Sequence, residues 1–339
     1  MKAGKDQRIH KIRQARKETD PGSFINDLLA GDIKTLSKAI TLTESNAESD
    51  RRAAGILLNQ IIPYTGKSLR IGVTGLPGAG KSTLIEALGC MLVKRGKKVA
   101  VLAVDPSSEA GKGSILGDKT RMPLLSASAS AFIRPSPSSG VLGGVTAHTR
   151  EAILLCEAAG FEVILVETVG VGQSETEVHG MTDLFLLLLI AGGGDELQGI
   201  KRGIMELADI VVVNKADGQN QQRARATRQE ITRALHFLPL HSSGWMPRAL
   251  ACSAFNPADI AQLWEAVESY MQLIMSNGYF EKNRKTQQLE WFHEQIRQEI
   301  IGRFYADKNR ENSIHSLEAS IRDGKLSVRD ALDKLFTGN

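Results

Sequence analysis

Only three cysteines occur in the 339 residues, Cys90, Cys156 and Cys252, and none belongs to a C-x-x-C pair or has a neighbouring histidine. Such spacing argues against a disulfide framework or a thiolate metal site and for three reduced thiols in the core. Long apolar runs are missing too. The longest, Leu184 to Ala191, falls well short of the roughly 18 residues that suggest a membrane span, so it is expected to be a buried strand and no membrane association is expected. The first thirty residues hold no apolar stretch followed by a small-residue cleavage site, which argues against a secretory signal and for the cytoplasm. Charge is nearly balanced at a formal net of +4, and the excess crowds at Lys2, Lys5, Arg8, Lys11, Arg13, Arg16 and Lys17. That segment reads as a solvated tail or as a contact for an acidic partner or RNA; nothing else in the chain supports nucleic-acid binding.

What is present is enough apolar sequence for a sizeable core, 42% of the chain. Leu28, Leu29, Ile33, Leu36, Ile40 and Leu42 fall near helical spacing, broken at Gly31-Asp32 where Asp32 is placed to cap a new helix. Ile56, Leu57, Ile61 and Ile62 continue the pattern up to Pro63. From Leu69 the texture changes to short β-branched runs alternating with helical segments, as in a parallel sheet covered on both faces. Strands are predicted at about 69–74, 98–104, 131–134, 162–167, 184–191, 209–213 and 248–252, with helices at 81–95, 145–159, 196–207 and 219–236. The Ser-, Gly- and Pro-rich stretch 106–144 is too long for a simple connection and is expected to be a functional loop system containing one short strand. Beyond Trp264 the pattern is helical, with Leu289, Phe292, Ile296, Ile300 and Phe304 on one face and Leu326, Val328, Leu332 and Leu335 in a last short helix. That first stripe packs either on its own domain or on a second copy or partner. The expected organisation is a basic flexible tail (1–22), an N-terminal helical segment (23–66), an α/β domain with a mostly parallel sheet flanked by helices (67–275) and a C-terminal helical segment (276–339).

Gly75-Leu76-Pro77-Gly78-Ala79-Gly80-Lys81-Ser82 fits G-x-x-x-x-G-K-S/T, follows the apolar strand from Leu69 to Thr74 and precedes a helical pattern, the context this phosphate-binding loop requires. Glycines let backbone N–H groups wrap the phosphates, the helix N-terminus favours negative charge, Lys81 reaches the terminal phosphates and the Ser82 hydroxyl ligates Mg²⁺. Thr83 completes the binding set on this element. The chemistry also needs a carboxylate at a strand end to hold the metal or its water. Asp105 and Glu167 both follow apolar runs, so both should project from the carboxyl edge of the sheet. Asp105 competes with an N-cap or turn role alongside Pro106-Ser107-Ser108. Glu167-Thr168-Val169-Gly170 places a glycine where its N–H can sense a γ-phosphate.

Asn214-Lys215-Ala216-Asp217 follows the strand 210–213 and matches the N-K-x-D element of GTP-binding proteins. The Asp217 carboxylate can accept from guanine N1–H and the exocyclic amine, a donor pair adenine lacks, and the wrong base would leave a buried carboxylate unpaired. Ser253-Ala254-Phe255, after the strand 249–252, sits where such proteins set a loop against guanine O6. Ras-like GTPases follow the switch glycine with a glutamine that positions the attacking water; here that place is Val171 and the nearest amide is Gln173. Slow intrinsic turnover is therefore expected, suited to a timer or gate.

With Asp105-Pro106-Ser107-Ser108, the run Gly113 to Met122, Glu167 to Gln173 and Gly192-Gly193-Gly194-Asp195-Glu196-Leu197-Gln198-Gly199-Ile200-Lys201, the chain resembles the ArgK/MeaB family over about residues 24–335. These P-loop GTPases, also named LAO/AO transport system ATPases, act as chaperones of methylmalonyl-CoA mutase. The resemblance implies GTP and GDP as ligands with Mg²⁺, and a homodimer joined through C-terminal helices. It also implies an adenosylcobalamin-dependent methylmalonyl-CoA mutase as partner, whose cofactor loading and protection are gated by GTP. It further implies that Asp118 is a metal-site carboxylate brought in on switching. Gln198 and Lys201 would lie on a loop that meets the nucleotide in the activated complex, Lys201 supplying transition-state charge. The plain alternatives are a loop ion pair between Asp118 and Lys119 or Arg121, and a solvated Lys201 beside Arg202. Two other functions share the nucleotide core. A metal-insertion GTPase would carry Cys/His ligands near the switch, and Cys156 and His179 form no such cluster in the sequence. A kinase phosphorylating a transport binding protein would need a protein acceptor, and the guanine-selective N-K-A-D argues against ATP as its donor.

Overall fold

Apolar runs without alternation make strands that must be covered on both faces, and Leu69–Gly75, Val99–Val104, Val163–Thr168, Leu184–Ile190 and Ile210–Asn214 are such runs, largely buried along their length. A computed structural model describes residues 21–45, 47–104, 121–135, 144–168, 174–191 and 202–337. Its strands are β1 (Leu69–Gly75), β2 (Val99–Val104), β3 (Ala131–Arg134), β4 (Val163–Thr168), β5 (Leu184–Ile190), β6 (Ile210–Asn214) and β7 (Arg248–Ala251). They pair in the order β3-β2-β4-β1-β5-β6-β7, every pair parallel. From β1 the chain runs to one side into β2 and β3, returns to β4 between β2 and β1, and then crosses to the other side through β5, β6 and β7. The carboxyl end of β1 is thus a topological switch point, where open α/β sheets bind ligands.

The crossovers that parallel pairing demands are helical. They are α4 (Lys81–Lys94), α5 (Pro123–Ser126), α6 (Gly144–Ala158), α7 (Ser174–His179), α8 (Arg202–Leu207) and α9 (Gln221–Leu235), with α1 (Pro21–Leu29), α2 (Ile33–Thr43) and α3 (Glu48–Ile61) preceding the sheet. α2 starts where the sequence predicts a cap: the Asp32 carboxylate accepts from the Thr35 N–H at 2.7 Å, one of the donors a helix start leaves over. Leu28, Leu36, Ile40, Leu57 and Ile61 are buried, whereas Ile56 and Ile62 of the same apolar pattern are exposed. α2 and α3 lie against α6, and Arg134 at the end of β3 donates to Thr41 at 3.3 Å and to Glu44, tying this segment to the sheet's edge. α10 (Pro257–Ser276) packs on α4 and buries Ile260, Leu263, Trp264, Val267, Tyr270 and Ile274.

The chain divides into two compact units, the first ending at Arg284 and the second running from Lys285. The division falls inside the long helix α11 (Tyr279–Ala306), which α12 (Lys308–Arg322) and α13 (Val328–Thr337) follow. In the second unit the rings of Phe304 and Phe336 stack with centroids 5.3 Å apart, and the Arg310 guanidinium lies 4.8 Å from the Phe304 centroid. Leu289, Phe292, Ile296 and Ile300 of α11 are exposed. Among the described residues no helix is long and apolar enough to cross a membrane. Cys156 and Cys252 are buried, Cys90 is half-buried, and burial raises the pKa of all three thiols.

Candidate nucleotide site

Three loops at the carboxyl edge of the sheet converge because register sets them level: Val73 of β1 pairs with Glu167 of β4, Ile190 of β5 with Asn214 of β6, and Val213 of β6 with Ala251 of β7. The loop from β1 to α4 turns through three glycines with positive φ, Gly75 (+148°), Gly78 (+80°) and Gly80 (+87°), a conformation an L side chain rarely adopts. At two of them a side chain would also collide. A Cβ on Gly75 would meet the Leu188 carbonyl oxygen at 2.4 Å, and one on Gly80 the Asn214 Nδ2 at 2.6 Å. Ala79 is fully buried, while Pro77, Gly78 and Thr83 are exposed and Leu76 is half-buried.

Lys81 opens α4 and is 7% exposed. Its ammonium donates to the Gly75 carbonyl at 2.8 Å and to the Leu76 carbonyl at 3.3 Å, so two of its three donors curl the loop round its own lysine. Burial lowers the Lys81 pKa; the negative charges of Glu167 and Glu175 oppose that shift, and Arg121 adds to it. One residue along, the half-buried Ser82 hydroxyl donates to Glu167 Oε1 at 2.8 Å, joining the helix start to the end of β4. Hydroxyl and carboxylate oxygens are the hard donors that Mg²⁺ takes, so this pair fits the predicted metal. At the same strand ends the buried Thr168 hydroxyl donates to that of Thr74 at 2.9 Å.

The base element is fastened to the phosphate loop. Asn214 Nδ2 donates to the Ala79 carbonyl at 2.8 Å, and its buried Oδ1 has no hydrogen-bond partner among the described residues, an acceptor that a ligand donor would satisfy. Lys215, at φ +57°, is the non-glycine residue with positive φ among those described, a strained conformation found where function over-determines the backbone. Its Cε lies 4.0 Å from where a Gly80 Cβ would stand. Asp217 is exposed, and Oδ2 accepts from the buried Ser253 hydroxyl at 2.6 Å. The Ala216 N–H donates to the Cys252 carbonyl at 3.2 Å, holding the two base loops side by side. Ala254 is half-buried and Phe255 is 81% exposed on the second of them.

Thus Gly75 to Thr83, Glu167, Asn214, Lys215, Asp217 and Ser253 to Phe255 come to one edge. Asp105, Asp118, Gly170, Val171, Gln173, Gln198 and Lys201 lie outside the described residues. One carboxylate escaped the sequence reading. Glu175, 1% exposed on α7 immediately beyond the switch segment, is near enough for its charge to act on Lys81; its only signal in the sequence was its position within Gly172-Gln173-Ser174-Glu175. Gly80→Ala is expected to weaken GTP and GDP alike by about tenfold or more, because the added Cβ displaces Asn214 and the backbone pays about 1–2 kcal/mol for a left-handed alanine. Titration with a fluorescent guanine nucleotide measures this, and an unchanged affinity would remove the Asn214 tie from the site.

Comparison with known proteins adds an independent line. The family described as methylmalonyl Co-A mutase-associated GTPase MeaB matches residues 36–309. GTPase ArgK of Escherichia coli (strain K12) is 46% identical over 311 residues, 92% of this chain and 94% of that protein. The Mus musculus protein named methylmalonic aciduria type A homolog, mitochondrial, is 43% identical over 327 residues, 92% of this chain and 79% of that protein. A crystal structure of an LAO/AO transport system kinase is similar at a TM-score of 0.75 and 39% identity, covering 94% of this chain and 97% of that one.

Proposed function

The chain belongs to the family of methylmalonyl-CoA mutase-associated GTPases, and we propose that it is a GTP-hydrolysing chaperone that gates adenosylcobalamin loading and protection of methylmalonyl-CoA mutase. The observation that carries the reading is the family match over residues 36–309, which spans the phosphate loop, the switch and both base loops. The loop N–H groups from Gly75 to Ser82 wrap the phosphates while Lys81 turns its remaining donor to the terminal ones. Ser82 and Glu167 hold Mg²⁺, together with Asp105 and, on switching, Asp118. The ion neutralises charge on the phosphate oxygens when bound. Asp217, with Ser253, Ala254 and Phe255 beside it, selects guanine, and Gly170 senses the γ-phosphate.

Hydrolysis is slow in the isolated protein because Val171 stands where a water-positioning glutamine would. The mutase completes the site by docking the loop that carries Gln198 and Lys201, whose ammonium faces the charge developing in the transition state. The exposed Leu289, Phe292 and Ile300 of α11 supply a homodimer contact; sedimentation velocity showing a monomer at micromolar concentration would remove it. The protein acts in the cytoplasm, where fractionation would find it.

The test is GTP turnover of the purified chain, alone and with methylmalonyl-CoA mutase. Stimulation beyond about tenfold, roughly 1.4 kcal/mol of barrier, is expected. No stimulation would leave the GTPase and dismiss the mutase as the partner that completes it. Lys201→Ala is expected to keep nucleotide affinity and basal turnover and to lose the stimulated rate, a pure transition-state effect. Weakened GTP binding in that variant would place Lys201 in the resting site.

A further inference from the structure

A carboxylate outside the nucleotide motifs is held at both of its oxygens, one by a base loop and one by the cap of its own helix. Asp259 lies in the first turn of α10, where the Asn256 Oδ1 caps the helix by accepting from the Ala258 N–H at 3.1 Å. Asp259 Oδ1 accepts from Asn256 Nδ2 at 2.9 Å, and Oδ2 reaches back past the cap to accept from the Ser253 N–H, also at 2.9 Å. Negative charge at that helix end is favoured by the macrodipole. The Ser253 hydroxyl in turn accepts from the Phe255 N–H at 3.2 Å and donates to Asp217 Oδ2 at 2.6 Å. With the Phe255 N–H on its acceptor side, the hydroxyl proton is directed at Asp217. Asp259 therefore fixes the backbone of Ser253, and Ser253 fixes the carboxylate of an exposed residue whose rotamer would otherwise be loose.

We propose that Asp259 is a positioning residue for guanine selection, acting on the base through Ser253 and Asp217. The inference rests on the reading above that Asp217 accepts from the base. Its consequence is particular. Reading N1–H and the 2-amino group together needs a carboxylate held in the plane of the base, whereas a carboxylate free to rotate meets one donor at a time. Loss of Asp259 thus lowers discrimination between guanine and hypoxanthine, which keeps N1–H and lacks the amine.

The experiment is calorimetric titration of the full chain with GDP, inosine diphosphate and ADP, for the wild type, Asp259→Ala and Asp259→Asn. The wild type is expected to bind GDP on the order of tenfold tighter than inosine diphosphate, the value of a hydrogen bond to a charged acceptor. In Asp259→Ala that ratio is expected to shrink to within about threefold, and Asp259→Asn, which keeps an acceptor oxygen for the Ser253 N–H, restores most of it. A wild-type ratio in Asp259→Ala overturns the proposal even if both nucleotides bind more weakly, since a loosened helix start lowers both alike. Should Asp259→Ala not fold, Ser253→Ala removes the hydroxyl link with the cap intact, and an unchanged ratio there overturns it equally. A wild type that binds ADP as well as GDP removes the base reading itself, and the role of Asp259 with it.

Discussion

Asp217→Asn is expected to weaken GTP by about 3–5 kcal/mol, on the order of a thousandfold, and to turn the protein toward xanthosine nucleotides. Two charge-assisted hydrogen bonds to guanine are lost, and an amide N–H₂ is brought against the guanine amine, donor against donor. Xanthine carries a carbonyl at that position, which the same amide can donate to. The neighbourhood decides how the introduced amide is turned: the Ser253 hydroxyl donates to this side chain at 2.6 Å, so the amide oxygen is kept on the serine and the nitrogen is presented to the base. Because Asp217 is exposed and its backbone is set by the strand before it, melting temperature is expected to stay within about 2 °C of wild type. Competition of GTP and XTP against a fluorescent nucleotide is the check, and unchanged GTP affinity would overturn the assignment.

Much of this architecture is legible in the sequence because its causes are local. A buried parallel strand must be apolar throughout, so the predicted run 162–167 and the observed Val163–Thr168 differ by one residue at each end. Asp32 before a helical period, and glycines where the chain must turn with positive φ, carry their own signals. The helical period cannot say which apolar residues find a partner, and so Ile56 and Ile62 are exposed while Leu57 and Ile61 are buried. What sequence reading missed is tertiary. Nothing around Asn214 announces its bond to Ala79, 135 residues away, and Glu175 in a short polar helix reads as a solvated charge until the fold buries it where its charge acts on Lys81. Asp259 is the local exception: it looks like an ordinary acid in a first helical turn, and only the shape of the turn from β7 into α10 brings it over Ser253, six residues earlier.

The same holds for the amino edge of the sheet, where the second large effect is expected: Arg284→Ala should cost about 3–5 kcal/mol of stability. Arg284 grips Asp183 with both arms, Nε to Oδ1 at 2.8 Å and Nη2 to Oδ2 at 2.7 Å, and Nη1 lies 3.4 Å from Glu157 Oε1. Glu157 also takes Arg70 Nε and Nη2, both at 2.9 Å, and the Gly66 N–H at 2.8 Å, while Asp183 takes the Arg70 N–H at 2.8 Å. Burial works against the Arg284 charge, and the two carboxylates outweigh it, raising the guanidinium pKa. Both carboxylate side chains are 1% exposed. With two guanidiniums and two carboxylates the cluster is balanced; without Arg284 it holds an uncompensated negative charge away from water, which costs far more than an exposed pair would. The melting transition is expected to fall by about 10 °C, measured calorimetrically. Arg284→Lys should recover part of the loss, since an ammonium restores the charge and cannot reproduce the two-armed grip. Guanine-nucleotide affinity of the folded Arg284→Ala protein is expected to match wild type, because the cluster sits at the opposite end of the strands from Lys81 and Asp217. A melting shift under about 2 °C would mean that water reaches Asp183 and Glu157 once the arginine is gone, and that packing around α11 holds this edge without the charges.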